Sequence, residues 1–183
     1  MRYPDLRELS TRNLRLRKIG MEDLQDLFGF ASSEEVTRYM LFRPHGTLED
    51  SVASIEKGLA RYAAGRSYHW GIALGDTDRL IGMIDLLRFD EAEGSCSFAY
   101  MLHEDFWGRG YGTEALQAVL DFGFGEMELS FIEADHMADN GASGAVMAKC
   151  GMKRQGIVPG KYEKNGITHD AVLYRITRED WRK

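Results

Sequence analysis

The sequence predicts an α+β fold around a central mixed, mostly antiparallel sheet. The first observation is a series of strand-like runs joined by short turns, which is typical of an antiparallel meander: 68–74, 80–89 and 95–102. The second is a helix-like run at 113–124 that connects the last of these to another strand-like run, so those two strands should be parallel. The third is Asn165-Gly166, a strong hairpin signal near the end of the chain.

The remaining elements follow from the spacing of apolar residues. Residues 14–17 alternate apolar and charged side chains, as a half-buried strand does, and residues 21–31 change to a helical period. Thr47 is a good N-cap for a second helix, for which Gly65 is a natural stop, and Asn140 caps a short helix. Further strand-like runs bring the total to about seven strands and about four helices: 129–136, 153–162 and 167–176.

The composition excludes several classes of protein. The chain has 183 residues, of which 44% are apolar and 28% charged, and it has no linker or repeat, so residues 1–183 are expected to form one domain. A formal net charge of −6 disfavours nucleic acid as a partner, because binding phosphate backbones requires a basic face. No window approaches the ~18 apolar residues of a membrane span, and the first residues lack an apolar signal core, so we expect a cytoplasmic protein without a membrane partner.

The cysteines and histidines give no metal pattern. Cys96 and Cys150 lie far apart in sequence and are expected to be buried, reduced thiols. The five histidines include no i, i+4 pair of the kind that holds zinc on a helix. The sequence therefore predicts no metal site.

The most informative stretch runs from Trp107 to Ala115, where three glycines fall in five positions between a strand and a helix. Glycine tolerates positive φ and lacks the Cβ that would keep a ligand from the backbone. A strand, a glycine turn and a helix N-terminus direct several free N–H groups at one point, which favours a phosphate or pyrophosphate.

Other interpretations of this stretch are a tight turn without a ligand, a Walker loop and a dinucleotide fingerprint. A simple turn needs one glycine rather than three. A Walker loop is excluded because no Gly-Lys-Ser/Thr ends the run. The partial dinucleotide match, Gly110-x-Gly112-x-x-Ala115, follows about four strands, whereas that fold places its loop after the first strand.

In this order of elements the chain resembles the GNAT superfamily of acyl-CoA N-acyltransferases over nearly its whole length. Two segments carry the resemblance: Arg109-Gly110-Tyr111-Gly112-Thr113, and Asn140-x-x-Ser143 followed by Lys149-x-Gly151-Met152. The resemblance implies a GNAT-like fold, acetyl-CoA as co-substrate and transfer of its acetyl group to an amine.

Within the superfamily the chain looks most like the RimJ/RimL-like branch of ribosomal-protein N-terminal acetyltransferases. The matching residues include Tyr100-x-Leu102, Phe106-Trp107-Gly108-x-Gly110-Tyr111 and Thr113-Glu114-Ala115. The chain departs from the superfamily at Trp107, where a Gln or Arg usually opens the loop motif. It also has Ser97 where the branch often carries a glutamate, a candidate base, so that base cannot be carried over.

The resemblance assigns residues to acetyl-CoA binding. Loop amides would hold its pyrophosphate, with the Thr113 hydroxyl as a further donor, and backbone groups of the preceding strand would pair with the pantetheine arm as an extra strand does. Asn140 would either bind the pantetheine or serve only as an N-cap, and the side chain of Arg109 would either neutralise phosphate or be solvated. The cofactor-binding residues predicted are Tyr100, Met101, Leu102, Gly108, Arg109, Gly110, Tyr111, Gly112, Thr113, Asn140 and Ser143.

Acetyl transfer also requires groups that move protons. Ser143 matches the branch's candidate acid for the leaving thiolate, although a serine at a helix start also serves local N–H groups. Candidates for the base are Tyr162, Glu163, His136 and His169, near the hairpin and strand ends.

The predicted acceptor is a primary amine, with a protein N-terminal α-amine ahead of a polyamine, an aminoglycoside or a lysine. At pH 7 an α-amine with a pKa near ~8 is about 10% neutral, whereas a lysine amine is under ~0.1% neutral, so the former needs no strong base. The alternative function is a CoA-binding sensor without catalysis, which is favoured by Ser97 in place of the usual glutamate. Either a monomer or a homodimer is compatible with the sequence.

Overall fold

The computed structural model describes residues 4–64 and 68–181, so the predicted helix stop at Gly65 lies outside the described residues. The strands are β1 (Leu9–Ser10), β2 (Leu14–Arg17), β3 (Tyr68–Leu74), β4 (Leu80–Asp90), β5 (Ser95–Leu102), β6 (Phe131–Met137), β7 (Lys153–Lys164) and β8 (Ile167–Thr177). The helices are α1 (Leu24–Ala31), α2 (Glu34–Thr37), α3 (Leu48–Ala63), α4 (Tyr111–Gly125), α5 (Gly141–Lys149) and α6 (Arg178–Trp181), with 3-10 turns at Met21–Asp23 and Glu104–Phe106.

The strands of the described residues form one sheet in the order β1-β2-β3-β4-β5-β6-β8-β7. The predicted meander β3-β4-β5 is antiparallel, and the predicted parallel pair is β5 with β6. The predicted hairpin joins β7 to β8 through Asn165-Gly166. The fold class predicted from the sequence is therefore confirmed, with β1, α2 and α6 as short elements that it did not include.

Helices cover both faces of this sheet. On one face Leu27 and Phe30 of α1 and Ile55 of α3 form a buried cluster with Leu80 and Met101 of the sheet. On the other face α4 and α5 share a larger buried cluster with the strands, which includes Trp70, Leu116, Val119, Leu120 and Met147. Burial of apolar area on this scale is the main favourable term in folding. Within the described residues, no helix has the length and apolar character that crossing a membrane requires.

Strands β5 and β6 separate after a short paired stretch. In the described part of the chain they pair at Ser95–Phe131, Cys96–Ile132 and Ser97–Glu133. Beyond these residues β5 stays paired with β4, and β6 stays paired with β8. A gap therefore opens in the middle of the sheet, bordered on one side by residues 98–102.

Helix α4 begins at Tyr111, two residues before the predicted start at Thr113. Its N-cap is Gly110, which has φ +86°, a left-handed conformation that glycine adopts without the steric cost of a Cβ. The predicted strand start at Leu129 is also displaced, to Phe131. The N–H of Leu129 donates to Gly123 O, so this residue still belongs to the turn after α4.

Both cysteines are buried and free, as predicted. Burial raises the pKa of each thiol, Cys96 and Cys150, to about 12. Neither thiol is therefore ionised near neutral pH.

Glu114 ties the first turn of α4 to the turn between β1 and β2. Its carboxylate accepts from Thr11 Oγ1 at 2.6 Å, Asn13 N at 2.7 Å and Asn13 Nδ2 at 2.9 Å. Burial acts to raise the pKa of Glu114, but these hydrogen bonds outweigh it, and the pKa lies below its ordinary value.

Glu114→Ala should lower the free energy of unfolding by about 1–3 kcal/mol near neutral pH, because it removes the shared acceptor of three hydrogen bonds from Thr11 and Asn13. Since the folded pKa is lowered, this stabilisation is present above the ordinary carboxyl pKa and is lost as the pH falls through the folded value. Urea unfolding at about pH 7 and about pH 3 measures both effects. Glu56→Ala, at an exposed position of α3, is the control, and equal stabilities of the two variants at neutral pH would contradict the assignment.

Candidate active site

The N-terminus of α4 presents free backbone donors to the gap side of the sheet. The first helical hydrogen bond runs from Glu114 N to Gly110 O at 2.9 Å, so the N–H groups of Tyr111, Gly112 and Thr113 precede it and have no partner within the helix. The helix has 15 residues, and its dipole adds positive character at this end. These donors lie where the glycine cluster predicts an anion site, and that site stays a prediction.

The glycines of the loop do not all serve the same purpose. Gly108 and Gly110 have positive φ, and a Cβ at either would meet nothing within 4 Å, so the space beside them is open. A Cβ on Gly112 would instead lie 3.4 Å from Tyr100 Cε2 and 3.7 Å from Val146 Cγ2. A Cβ at Gly112 would therefore meet β5 and α5 at ordinary van der Waals distance, unlike a Cβ at Gly108 or Gly110.

The loop borders a cavity of about 370 Å³, here called the cradle cavity. All but one of the predicted cofactor-binding residues line it: Tyr100, Met101, Leu102, Gly108, Gly110, Tyr111, Gly112, Thr113, Asn140 and Ser143. The exception is Arg109, whose guanidinium lies 5.4 Å from the centre of the Phe106 ring. Its side chain stacks on that ring, outside the described lining of the cavity.

The edge of β5 that faces the gap has polar backbone groups available for a ligand. From 98 to 102 it pairs with β4 on one side, and no strand of the described residues pairs with its other side. The Leu102 carbonyl oxygen accepts from Trp107 Nε1 at 2.7 Å. Successive residues of a strand direct their backbone groups to opposite edges, and the Met101 carbonyl lies on the β4 side, next to Gly82. Tyr100 is therefore better placed than Met101 or Leu102 to pair with an extended ligand, because its backbone groups face the gap and need partners.

A second cavity, of about 320 Å³, lies beyond the gap and is here called the carboxylate cavity. Asp85 from β4 and Asp135 from β6 line it, together with Arg88, Ser97 and Tyr162. Asp85 contacts His69 Nδ1, and Asp135 accepts from the Tyr162 hydroxyl and from Lys161 Nζ, the latter at 2.5 Å. Ser97, at the position of the usual carboxylate, is therefore flanked by carboxylates on the neighbouring strands.

The two cavities share residues of β5 and α5, which lie where the cavities meet. Asn140 Oδ1 accepts from Ser143 N at 3.4 Å, which is the predicted N-cap, and Asn140 Nδ2 donates to Ser143 Oγ at 3.1 Å. The Tyr100 hydroxyl donates to the same oxygen, Ser143 Oγ, at 3.4 Å, and burial raises the pKa of Tyr100. Because Ser143 Oγ accepts both bonds, its own hydrogen is available to a third group.

Of the base candidates, only Tyr162 and His136 lie in the described lining of the carboxylate cavity. Burial and the hydrogen bond to Asp135 raise the pKa of Tyr162 to about 12, so the phenol stays protonated and is a poor base near neutral pH. Glu163 is exposed because successive residues of β7 point to opposite sides of the strand. His169 is the cross-strand neighbour of Tyr162 and is absent from the described lining.

His136 is 8% exposed and faces α5. Its Nδ1 donates to Met137 O at 2.8 Å, which leaves Nε2 as an acceptor without a partner in the described part of the chain. A Cβ on Gly144 would lie 2.7 Å from that nitrogen. Nε2 is thus enclosed by the helix, and an amine in the cavity does not reach it in this conformation.

The sequence did not single out Asp85 and Asp135, which line the carboxylate cavity. It also did not single out Tyr39 and Met40, which follow α2 and line both cavities. A carboxylate within an otherwise apolar stretch is a signal that was available for Asp85, whereas Asp135 shares its strand with Glu133 and His136. The segment at 38–42 has no regular period and so gave no signal. Among the described residues, no group of three or more His, Cys, Asp or Glu is placed to hold a metal ion.

Comparison with known proteins gives the class of this site. Residues 13–153 match the family described as Acetyltransferase (GNAT) domain. The chain is 30% identical over 170 residues to the uncharacterized N-acetyltransferase YoaA of Bacillus subtilis (strain 168), which covers 93% of this chain and 96% of that protein. It is 25% identical over 118 residues to the ribosomal protein uS5 alanine N-acetyltransferase of Escherichia coli (strain K12), over 64% of this chain and 61% of that protein.

A solved structure has the same fold. Spermidine N-acetyltransferase from Vibrio cholerae, in complex with CoA and spermine, superimposes with a TM-score of 0.80 at 17% identity, covering 94% of this chain and 100% of that one. The chain belongs to the GNAT acetyltransferase family, and the protein is an acetyl-CoA-dependent acetyltransferase. The similarity to the uS5 enzyme supports the RimJ/RimL-like branch.

The described residues fit acetyl-CoA. The free amides at the start of α4 suit a pyrophosphate, the open space beside Gly108 and Gly110 allows close approach to the backbone, and the unpaired edge of β5 suits the amide-containing pantetheine arm. When bound, acetyl-CoA supplies an activated acetyl thioester.

Gly110→Ala should weaken CoA binding by about tenfold or more, because an alanine at φ +86° costs ~1 kcal/mol or more and would shift the loop from the conformation that directs its amides. Isothermal titration calorimetry measures the affinity. The matched control is Gly166→Ala at φ +75° in the β7–β8 turn, where a Cβ also meets nothing within 4 Å. A folded Gly110→Ala protein with unchanged CoA affinity would show that the loop is not the anion cradle.

Proposed function

We propose that this acetyltransferase moves the acetyl group of acetyl-CoA directly to the N-terminal α-amine of a protein or peptide. The observation that carries the proposal is the meeting of the two cavities at Tyr100, Asn140 and Ser143. The cradle cavity would hold the CoA, and the carboxylate cavity would admit the amine from the other side of the gap. Such an arrangement brings the two reactants together without a covalent enzyme intermediate.

Ser143 is the proposed proton donor to the leaving thiolate. Asn140 and Tyr100 both donate to Ser143 Oγ, which orients the hydroxyl and leaves its hydrogen for the thiolate sulfur. Ser143 would then regain a proton from solvent or from a neighbouring donor. Its N-terminal position on α5 also holds the oxygen close to the positive end of that helix.

The proton of the attacking amine would leave through water. Tyr162 is protonated and bonded to Asp135, Glu163 is exposed, and His136 Nε2 is enclosed, so none of these three candidates is placed to accept it. An α-amine is already partly neutral near pH 7, whereas a lysine amine is almost wholly protonated. The positions of these candidates therefore support an α-amine acceptor, as does the similarity to an enzyme named for the uS5 ribosomal protein.

A small polyamine is the second candidate acceptor. Asp85 and Asp135 line the carboxylate cavity, and carboxylates on two strands suit a molecule with more than one cationic group. The structural neighbour from Vibrio cholerae is named for spermidine, although at 17% identity this likeness concerns the fold. Both aspartates already have cationic or donor partners, which weakens this alternative.

Ser143→Ala should lower kcat by about 10–1,000-fold while the KM for acetyl-CoA changes little, because a lost proton donor acts on the chemical step. Steady-state thiol release measures both constants. Ser143→Thr keeps the hydroxyl and should recover most of the activity. Unchanged kcat in Ser143→Ala would limit this residue to capping α5.

An acceptor panel should show acetylation of peptides with free N-termini ahead of spermidine, an aminoglycoside and N-terminally blocked peptides that contain lysine. The rate should rise with pH through the acceptor's own pKa, since only the neutral amine attacks. Thiol release identifies substrates, and mass spectrometry locates the acetyl group. Preference for spermidine or for blocked peptides would overturn the α-amine assignment while acetyl transfer itself stands.

A further inference from the structure

Lys164, the last residue of β7, makes an unusual set of contacts with a distant part of the chain. Its Nζ donates to the carbonyl oxygens of Thr37 at 2.7 Å, Arg38 at 3.0 Å and Met40 at 2.7 Å. A lysine ammonium has three hydrogens, so each is used by one carbonyl. These carbonyls lie at the C-terminal end of α2 and just beyond it, where a cation is favoured.

The contacts hold a segment that borders both cavities, here called the wall segment, residues 38–42. Tyr39 and Met40 line the cradle cavity and the carboxylate cavity, and Leu41 and Phe42 line the latter. The wall segment is neither helix nor strand, so it lacks a repeating set of backbone hydrogen bonds. Other bonds that restrain it are Met40 N to Thr37 O at 2.9 Å and the Tyr39 hydroxyl to Asp139 O at 3.2 Å.

The same end of β7 also reaches the opposite side of the carboxylate cavity. Tyr162 lies two residues before Lys164 and therefore on the same side of the strand, and its hydroxyl donates to Asp135 of β6. The end of β7 is thus bonded to β6 through Tyr162 and to the wall segment through Lys164. The distance across the carboxylate cavity, from β6 to the wall segment, therefore depends on the contacts of both Tyr162 and Lys164.

A lysine suits this position better than an arginine. Its ammonium points three hydrogens in different directions, whereas a guanidinium presents its donors in one plane. Burial lowers the pKa of Lys164, but its carbonyl partners favour the charged form. A methionine would keep much of the length of the side chain and remove every one of these bonds.

We infer that Lys164 is a positioning residue that fixes the wall segment and thereby sets the shape of the carboxylate cavity for the acceptor. This inference rests on the proposed acetyl transfer to an amine. The start of α4, which would hold the pyrophosphate, is secured by Glu114 and does not involve Lys164. Tyr39 and Met40 border both cavities, but Leu41 and Phe42 line the carboxylate cavity alone. Loss of Lys164 therefore acts on acceptor binding more than on CoA binding.

The test compares the wild-type protein with Lys164→Met and Lys164→Arg, using the peptide or amine that the wild type acetylates best. Lys164→Met should raise the acceptor KM by about tenfold or more, with kcat and the CoA dissociation constant within about threefold of wild type. Amide hydrogen exchange in 38–42, measured by mass spectrometry without substrate, should become faster. Lys164→Arg keeps the charge, so the acceptor KM and the exchange rate of 38–42 should both rise less than in Lys164→Met.

The matched control is Lys153→Met, on the same strand. Lys153 Nζ contacts Asp180 Oδ1 at 2.7 Å, and its side chain is 64% exposed and absent from the described lining of either cavity. This variant should leave the acceptor KM and the exchange of 38–42 unchanged. A change in the control equal to that in Lys164→Met would overturn the inference.

The remaining outcomes separate the inference from the proposed function. Faster exchange with an unchanged acceptor KM, or a fall in kcat alone, would overturn the positioning role. If Lys164→Met does not fold, the same criteria apply to Lys164→Arg. If the wild type binds CoA but acetylates no amine, the proposed function fails, and the exchange rates alone decide whether Lys164 holds the wall segment.

Discussion

Backbone hydrogen bonding in the middle of the sheet is the constraint on which the rest of the site depends. Strands β5 and β6 pair at three positions and then separate, because β5 remains with β4 and β6 with β8. A strand edge inside a domain carries polar groups that require partners. Here that edge faces the cradle cavity, so the protein is arranged to complete its sheet with an extended ligand. The N-terminus of α4 and Ser143 of α5 line the same cavity.

The sequence predicted those parts that depend on local patterns. The meander, the parallel pair and the hairpin follow from periodicity and turn chemistry, whereas β1 and α2 have two and four residues, too few to show a period. The cradle was predictable because its donors are consecutive in the chain. The carboxylate cavity was not, since Asp85, Asp135 and Tyr162 come from three strands. The exposed position of Glu163 follows from the strand period once β7 is known to include it.

The surroundings of Ser97 determine what proton chemistry the site can perform. Carboxylates remain on both neighbouring strands, but Asp85 is bonded to His69, and Asp135 to Tyr162 and Lys161. Each carboxylate is thus already held by a neighbouring side chain, while its negative charge stays beside the cavity. Such surroundings suit a cationic or partly neutral amine better than one that needs a dedicated base.

The two halves of the site differ in how they are supported. The cradle belongs to a helix of 15 residues, and the bonds of Glu114 secure its first turn. The carboxylate cavity is bordered by the irregular wall segment, in which Leu41 is 61% exposed and Phe42 39% exposed. This segment is held by Lys164, which belongs to the β7–β8 hairpin. Substitutions of Leu41 or Phe42, which line the carboxylate cavity alone, can change that cavity without touching the contacts that secure the start of α4. The part of the site that suits the acetyl donor and the part that would admit the acceptor are therefore supported by different contacts.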